Sequence, residues 1–250
     1  MRRRFGRRDR LRRAILSVRD DSAVAIGERW LGPLRPFVLS RLPPAPASVI
    51  EIGCGTVGGF VPELRRIGYE AVGVDRNAPE GPDFQRVDFE DYDPSRPVDA
   101  ILASRSLHHV RDVDEVLDRA AVALRPGGAI VVLEWAWERF DEPTARWCFD
   151  RLDPSPAEDP GWLQRRRDGW LASGRAWHAY FEDWAREHGL SRSDRVLAGL
   201  DARFERTSCE YAPYFFADLA DSSEEAEQAA IDAGEIRATG IRYAGRLRET

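Results

Sequence analysis

The sequence predicts an α/β fold built on a doubly wound parallel sheet, and three observations carry that reading. Short apolar runs alternate with amphipathic helical segments over residues 48–135. The first run empties into a glycine-rich loop that opens a helix, and an acidic residue stands at the end of the next run. A chain of 250 residues, 43% hydrophobic and 32% charged, can close one core of this size with appendages.

The elements follow in order. After an arginine-rich arm, GERWLGPLRPFVLSRL spaces Trp30, Leu31, Leu34, Phe37, Val38 and Leu42 at three to four residues, as a helix with one buried face does, and PPAPA stops it. ASVIEIG reads as a strand buried on both faces, and VPELRRIG behind it as a helix closed by Gly68. YEAVGVD repeats the strand signal, FQRVDFED gives a weaker third one, and VDAILAS a fourth of the buried kind. VDEVLDRAAVAL has helical periodicity, RPGG is expected to turn, and AIVVLEW is the fifth strand. Residues 136–200 change character: six of the eight tryptophans fall between Trp137 and Trp184 in helical segments, read as an insertion over one end of the sheet. In the tail, SSEEAEQAAIDAGEI is a polar helix and ATGIRYAGRL a closing strand.

Composition excludes several classes. The chain is too apolar for disorder, and no stretch approaches the roughly 20 apolar residues of a membrane span. The basic N-terminus lacks the apolar core of a signal peptide, so a soluble, cytoplasmic protein is expected. Cys54, Cys148 and Cys209 are odd in number and far apart, and the four histidines form no ligand motif, so neither a disulfide framework nor a metal site is expected. The net charge of −6 conceals an asymmetry: residues 1–20 carry nine arginines against Asp9 and Asp20. Such an arm suits RNA, an anionic membrane surface or an acidic partner, although a solvated, frayed helix is the plainer reading. Every basic residue is arginine, so the type itself says nothing about phosphate recognition.

The loop Gly53-x-Gly55-x-x-Gly58 leaves a strand and enters a helix, which lets backbone N–H groups approach a ligand closely. Asp75, 20 residues beyond Gly55, ends the next strand where an acid binds ribose hydroxyls. Together they predict a nucleoside-type ligand and leave dinucleotide and S-adenosylmethionine both open. Three further features tilt the balance. Glu51 sits inside the first strand end, where a carboxylate is costly to bury unless it organises the loop or meets a cationic ligand. Asp88 follows the third strand and can accept from an exocyclic amine, and LRPGG precedes the fifth strand.

With VIEIGCGTVGG, AVGVDRN, VDFED, VDAILASRSLHHVRDVDEVLDRAAVALRPGGAIVVLEW and ATGIRYAGRL, the sequence resembles the class I S-adenosylmethionine-dependent methyltransferases, especially the type 11 group, over residues 46–135 and more loosely 200–250. The resemblance implies a Rossmann-like, seven-stranded, mostly parallel sheet with an antiparallel last strand. It divides the chain into a basic arm and helix (1–45), a cofactor-binding core (46–135), a helical substrate cap (136–200) and C-terminal elements completing the same domain (201–250). It implies cofactor contacts from Glu51, Gly53 and Gly55 to the methionine end, from Asp75 to the ribose, and from Asp88 and Phe89 around the adenine, with Cys54 also in the cofactor-binding loop and Ser104 beside the methionine and the reaction centre. One departure concerns the family's usual E/D-x-G-x-G-x-G, where the third glycine position holds Val57. A β-branched residue is disfavoured at positive φ, so a shifted loop with Gly58 taking over is expected.

The expected reaction is metal-free, in-line methyl transfer to a small-molecule oxygen or nitrogen, in which the protein's main task is alignment and a base depends on the acceptor. The segment after the fourth strand is SRSLHH, not the D/N-P-P-Y/F of resembling adenine and glutamine N-methyltransferases. His108 is the first candidate for a base and Arg105 for a substrate anchor, against the plainer alternative that LHH packs and caps the next helix. His178 with Tyr180 sits in the insertion and offers a pocket-lining pair, against the plainer reading of a helix-surface histidine. The tryptophans either wall the substrate or simply pack the insertion, and Cys148 lacks an activating neighbour. Three competing readings remain: RNA or protein methylation using the arm, an NAD-dependent dehydrogenase, and a non-catalytic cofactor-binding protein.

Overall fold

In the computed structural model, which describes residues 27–154 and 161–248, all five residues of β1 (Ser48–Ile52) are buried, as expected for a central strand. The sheet it nucleates continues through β2 (Glu70–Val74), β3 (Phe84–Gln85), β4 (Val98–Ser104), β5 (Leu124–Trp135), β6 (Phe204–Ala212) and β7 (Gly240–Leu247). The seven strands run in the spatial order β3-β2-β1-β4-β5-β7-β6. All pairings from β3 to β5 are parallel, and β7 is antiparallel to both β5 and β6. The strand order reverses between β1 and β4, which opens a crevice at the carboxyl ends of those strands.

Strand alternation builds two cores. Ile50, Ile52, Ile101, Ala103, Ile130 and Val132 face α3 (Val113–Ala123) and α7 (Ser193–Arg203). Their neighbours Val49, Leu102, Val131 and Leu133 face α1 (residues 27–41) and α2 (Val61–Arg66). In α1, Trp30, Leu34 and Val38 are buried, as is Leu42 just beyond it, as the spacing predicts. Asp112 caps α3, accepting from the N–H groups of Asp114 and Glu115.

A third core is largely aromatic. It joins α4 (Glu142–Phe149), α5 (Trp162–Ser173) and α6 (Trp177–Glu187) to Trp135 and to Tyr214 and Phe215, which lie between β6 and α8 (Glu224–Asp232). Helix α7 falls within the expected insertion yet packs Val196 and Leu200 into the sheet core. The helices that cover the sheet end are therefore α4 to α6.

Two local expectations change. The FQRVDFED strand keeps only its first two residues paired; beyond them Asp88 meets Arg76 (2.8 Å) and Phe89–Asp91 close a 3₁₀ turn. The RPGG segment is a bulge inside β5 rather than a separate turn: Val98 pairs with Leu124 but Ala100 with Ala129, and Gly127 takes φ +68°. The arginine-rich arm of residues 1–20 lies outside the described residues. No described helix is long and apolar enough to cross a membrane.

Candidate active site

A cavity of about 640 Å³ opens at the crevice, lined by the residues that end four strands: the glycine loop after β1, Asp75 after β2, Ser104 and Arg105 at the end of β4, and Trp135 on β5. The glycine loop is shaped by left-handed backbone. Gly53, Gly55, Gly58 and Gly59 take φ of +81°, +62°, +85° and +55°, while Val57 does not. Gly58 thus carries the turn that valine would resist. A Cβ on Gly53 would lie 2.4 Å from that of Ser106, whereas one on Gly55 would meet nothing, so the loop is pressed on β4 at one glycine and open at the other.

Asp75 fixes this loop. One carboxylate oxygen accepts from the N–H of Gly55 (3.0 Å) and the other from the N–H of Asn77 (2.7 Å). Each oxygen keeps a lone pair for a further donor, such as the hydroxyls of a ribose. Glu51 lies under the loop and does not line the cavity. It accepts from the N–H of Phe60 at the head of α2 (2.7 Å), its Oε1 has no partner, and a Cβ on Gly59 would come within 2.3 Å of it. Burial pushes its carboxyl up to about 8, against the opposing effect of the Phe60 and Val61 N–H groups.

The other end of the cavity is aromatic. Trp135, Trp162, Trp184 and Tyr214 line it, and Trp30 of α1 also lines the cavity. Trp135 stacks on Tyr214 (5.6 Å between centroids, 6° between planes), meets Trp162 edge-on (5.5 Å), and presents an edge contact to His108 (5.7 Å). The remaining tryptophans, Trp137, Trp147, Trp170 and Trp177, pack the third core away from the cavity.

His108 sits on the 3₁₀ turn Leu107–His109, nearly fully buried yet lining the cavity. Its Nδ1 hydrogen-bonds Glu134 of β5, whose carboxylate also accepts from the N–H groups of Leu107 (2.7 Å), His108 (3.2 Å) and Trp135 (2.7 Å). Burial opposes the charge on Glu134, but the facing imidazole and these N–H donors outweigh it and hold the carboxyl below the usual carboxylate range. With Nδ1 engaged, Nε2 has no partner among the described residues. His109 stands alongside, exposed, with its ring centroid 4.0 Å away.

The expected site residues thus divide. Gly53, Cys54, Gly55, Asp75, Ser104, Arg105 and His108 line one cavity. Glu51 supports the loop from below. Asp88 is ion-paired on the surface with Arg76, and Phe89 is buried against Tyr92, neither at the cavity. His178 is exposed and pairs with Glu182 (3.4 Å), and Cys148 is fully buried, which raises its thiol well above the ordinary range. Glu134, Tyr214, Asp218 and Trp30 were not expected at the site from sequence. Glu134 carries the same signal as Glu51, an acid inside a buried run; the others reach the cavity from distant chain segments.

The chain matches the methyltransferase domain family over residues 28–191. It belongs to that family, the class I S-adenosylmethionine-dependent methyltransferases. It is 33% identical over 107 residues to a ubiquinone biosynthesis O-methyltransferase of Bradyrhizobium sp. (strain ORS 278), covering 37% of this chain and 42% of that one. The chain therefore spans less than half the length of the curated relatives it matches. Its fold resembles an S-adenosylmethionine-dependent methyltransferase from Mesorhizobium loti (TM-score 0.51, 18% identity, 85% and 97% of the two chains). It also resembles the N-methyltransferase NodS of Bradyrhizobium japonicum WM9 in complex with S-adenosylhomocysteine (TM-score 0.50, 14% identity, 88% and 86%).

Proposed function

We propose that the chain is an S-adenosylmethionine-dependent O-methyltransferase acting on a small phenol or alcohol, with α4 to α6 as its acceptor cap. The observation that carries this reading is the His108–Glu134 pair, buried at the aromatic end of a cavity whose other end is the glycine loop. The residues fit the cofactor: Gly55 offers open backbone at the cavity, Asp75 keeps acceptor capacity, and the orphaned Oε1 of Glu51 lies under the loop. Bound there, the cofactor supplies an electrophilic methyl group on sulfur.

The rest of the chemistry is the chain's own. An alcohol or phenol must shed its proton as its oxygen gains the methyl group. His108 takes that proton at Nε2, because Glu134 fixes the opposite nitrogen and faces the imidazolium with a negative charge. The aromatic walls hold a flat acceptor and exclude water. The relatives' name, ubiquinone biosynthesis O-methyltransferase, supports oxygen as the receiving atom. The three described cysteines are all free thiols, which suits the cytoplasm as the compartment.

The test is turnover. Purified chain is given labelled S-adenosylmethionine and a panel of catechols, phenols, alcohols and amines, with release of S-adenosylhomocysteine as the readout. Methylation of a hydroxyl, lowered by about a hundredfold or more in His108→Gln with S-adenosylhomocysteine affinity unchanged, is the expected result. Turnover of amines alone, or full activity of the variant, would overturn the assignment.

A further inference from the structure

Arg105 is the one non-glycine residue among the described residues with left-handed backbone, at φ +50°. That conformation costs about 1–2 kcal/mol and persists only where the surroundings impose it. Here they do. The Arg105 N–H donates to the carbonyl of Leu133 on β5 (2.8 Å), and the guanidinium lies over the ring of Trp30, 4.4 Å from its centroid. Trp30 is buried on α1, which Arg29 ties to the carbonyls of Phe216, Leu219 and Ser222 (3.2, 2.7 and 3.1 Å).

The guanidinium so held is half-buried, lines the cavity, and has no hydrogen bond or ion pair among the described residues. This sets it apart from Arg29, Arg139, Arg203 and Arg242, each of which donates to protein oxygens. The cavity carboxylate of Asp218 lies beyond ion-pair distance, although Arg105 acts on both Asp218 and Tyr214 through its charge. Tyr214 stacks on Trp135, the ring beside His108, and Arg105 lines the same cavity as all three. A planar guanidinium with unspent donors matches a carboxylate two bonds at a time.

Resting on the O-methyl reading above, we propose that Arg105 receives a carboxylate carried by the acceptor, so that the acceptor is a hydroxylated aromatic acid. The hydroxyl meets His108, the aromatic walls take the ring, and the acid group meets Arg105.

The test uses 3,4-dihydroxybenzoate and its neutral counterpart 3,4-dihydroxybenzamide as probes, titrated calorimetrically into the full chain saturated with S-adenosylhomocysteine. Wild type is expected to hold the acid at least tenfold more tightly than the amide. Arg105→Gln is expected to hold the two alike while its S-adenosylhomocysteine Kd moves less than twofold, and Arg105→Lys to recover part of the preference. Equal binding of acid and amide by wild type, or binding of neither, overturns the proposal, and this comparison stands even if a variant does not fold. A tenfold loss of S-adenosylhomocysteine affinity in Arg105→Gln assigns the residue to the cofactor's carboxylate and overturns it as well. Methylation of the neutral catechol with an unaltered acid-to-amide ratio in Arg105→Gln leaves O-methylation standing and removes only the role of Arg105. Absence of S-adenosylhomocysteine binding by wild type removes both.

Discussion

Glu134 and His108 face each other in the interior, one from β5 and one from the turn after β4, joined through Nδ1 with both side chains almost wholly out of solvent. Replacing Glu134 by Gln keeps the shape and removes the charge that favours the imidazolium. The expected result is a fall in kcat of about ten- to a hundredfold with S-adenosylhomocysteine affinity unchanged, measured by steady-state kinetics and calorimetry. The folded-state depression of this carboxyl also stabilises the protein above its ordinary value of 4.5, a contribution lost as pH falls through the lower folded value. Thermal melting should therefore show wild type losing stability below pH 4.5 more steeply than Glu134→Gln. Parallel curves would contradict the charge assignment.

Glu51 gives the opposite sign. Its carboxyl, raised by burial to about 8, keeps its proton in the folded protein over a range in which the unfolded chain releases it. Stability is thus lost as pH rises from 4.5 towards 8. Glu51→Gln preserves an acceptor for the Phe60 N–H and abolishes the titration. Melting curves of the two proteins should diverge across that window, with the variant the more stable at its upper end.

Gly59 and Gly127 separate steric from conformational cost. Both have positive φ, +55° and +68°, but a Cβ on Gly59 would strike the carboxyl of Glu51 at 2.3 Å, while one on Gly127 would meet nothing. Gly127→Ala should cost about 1 kcal/mol, from left-handed backbone alone. Gly59→Ala must also displace a buried side chain beneath the cofactor loop, so denaturant unfolding should show a loss at least twice as large. S-adenosylhomocysteine affinity should fall only in the Gly59 variant.

These sites were unequally legible in the sequence. The strands and the glycine loop were readable because burial on two faces leaves unbroken apolar runs, and a strand-to-helix turn at positive φ demands glycine. Even the shift from Val57 to Gly58 followed from a steric rule. What sequence position could not convey is pairing across the chain. Reading Asp88 as an adenine contact carried no sign that Arg76, 12 residues away, would stand beside it. Tyr214 and Asp218 reach the cavity because Glu227 of α8 accepts the N–H groups of Tyr214 and Phe216 (2.8 and 2.7 Å) and shapes their loop. Nothing local to YAPYFFAD announces that arrangement.

The tryptophans divide between wall and core, and two substitutions distinguish the roles. Trp177 is 1% exposed, donates from Nε1 to the Phe140 carbonyl (2.6 Å) and stacks on Phe181 (4.8 Å). Trp177→Ala should destabilise the fold by about 3–5 kcal/mol through the cavity it leaves. Trp162 is only half-buried and lines the cavity, meeting Trp135 edge-on and stacking on Trp184 (6.3 Å). Trp162→Ala gives up less core packing and takes a face away from the acceptor. Its signature should be an acceptor KM raised about tenfold with the melting temperature lowered far less than in the Trp177 variant. An unchanged KM in Trp162→Ala would place the acceptor elsewhere in the cavity, and a melting loss equal to that of Trp177→Ala would make Trp162 part of the core.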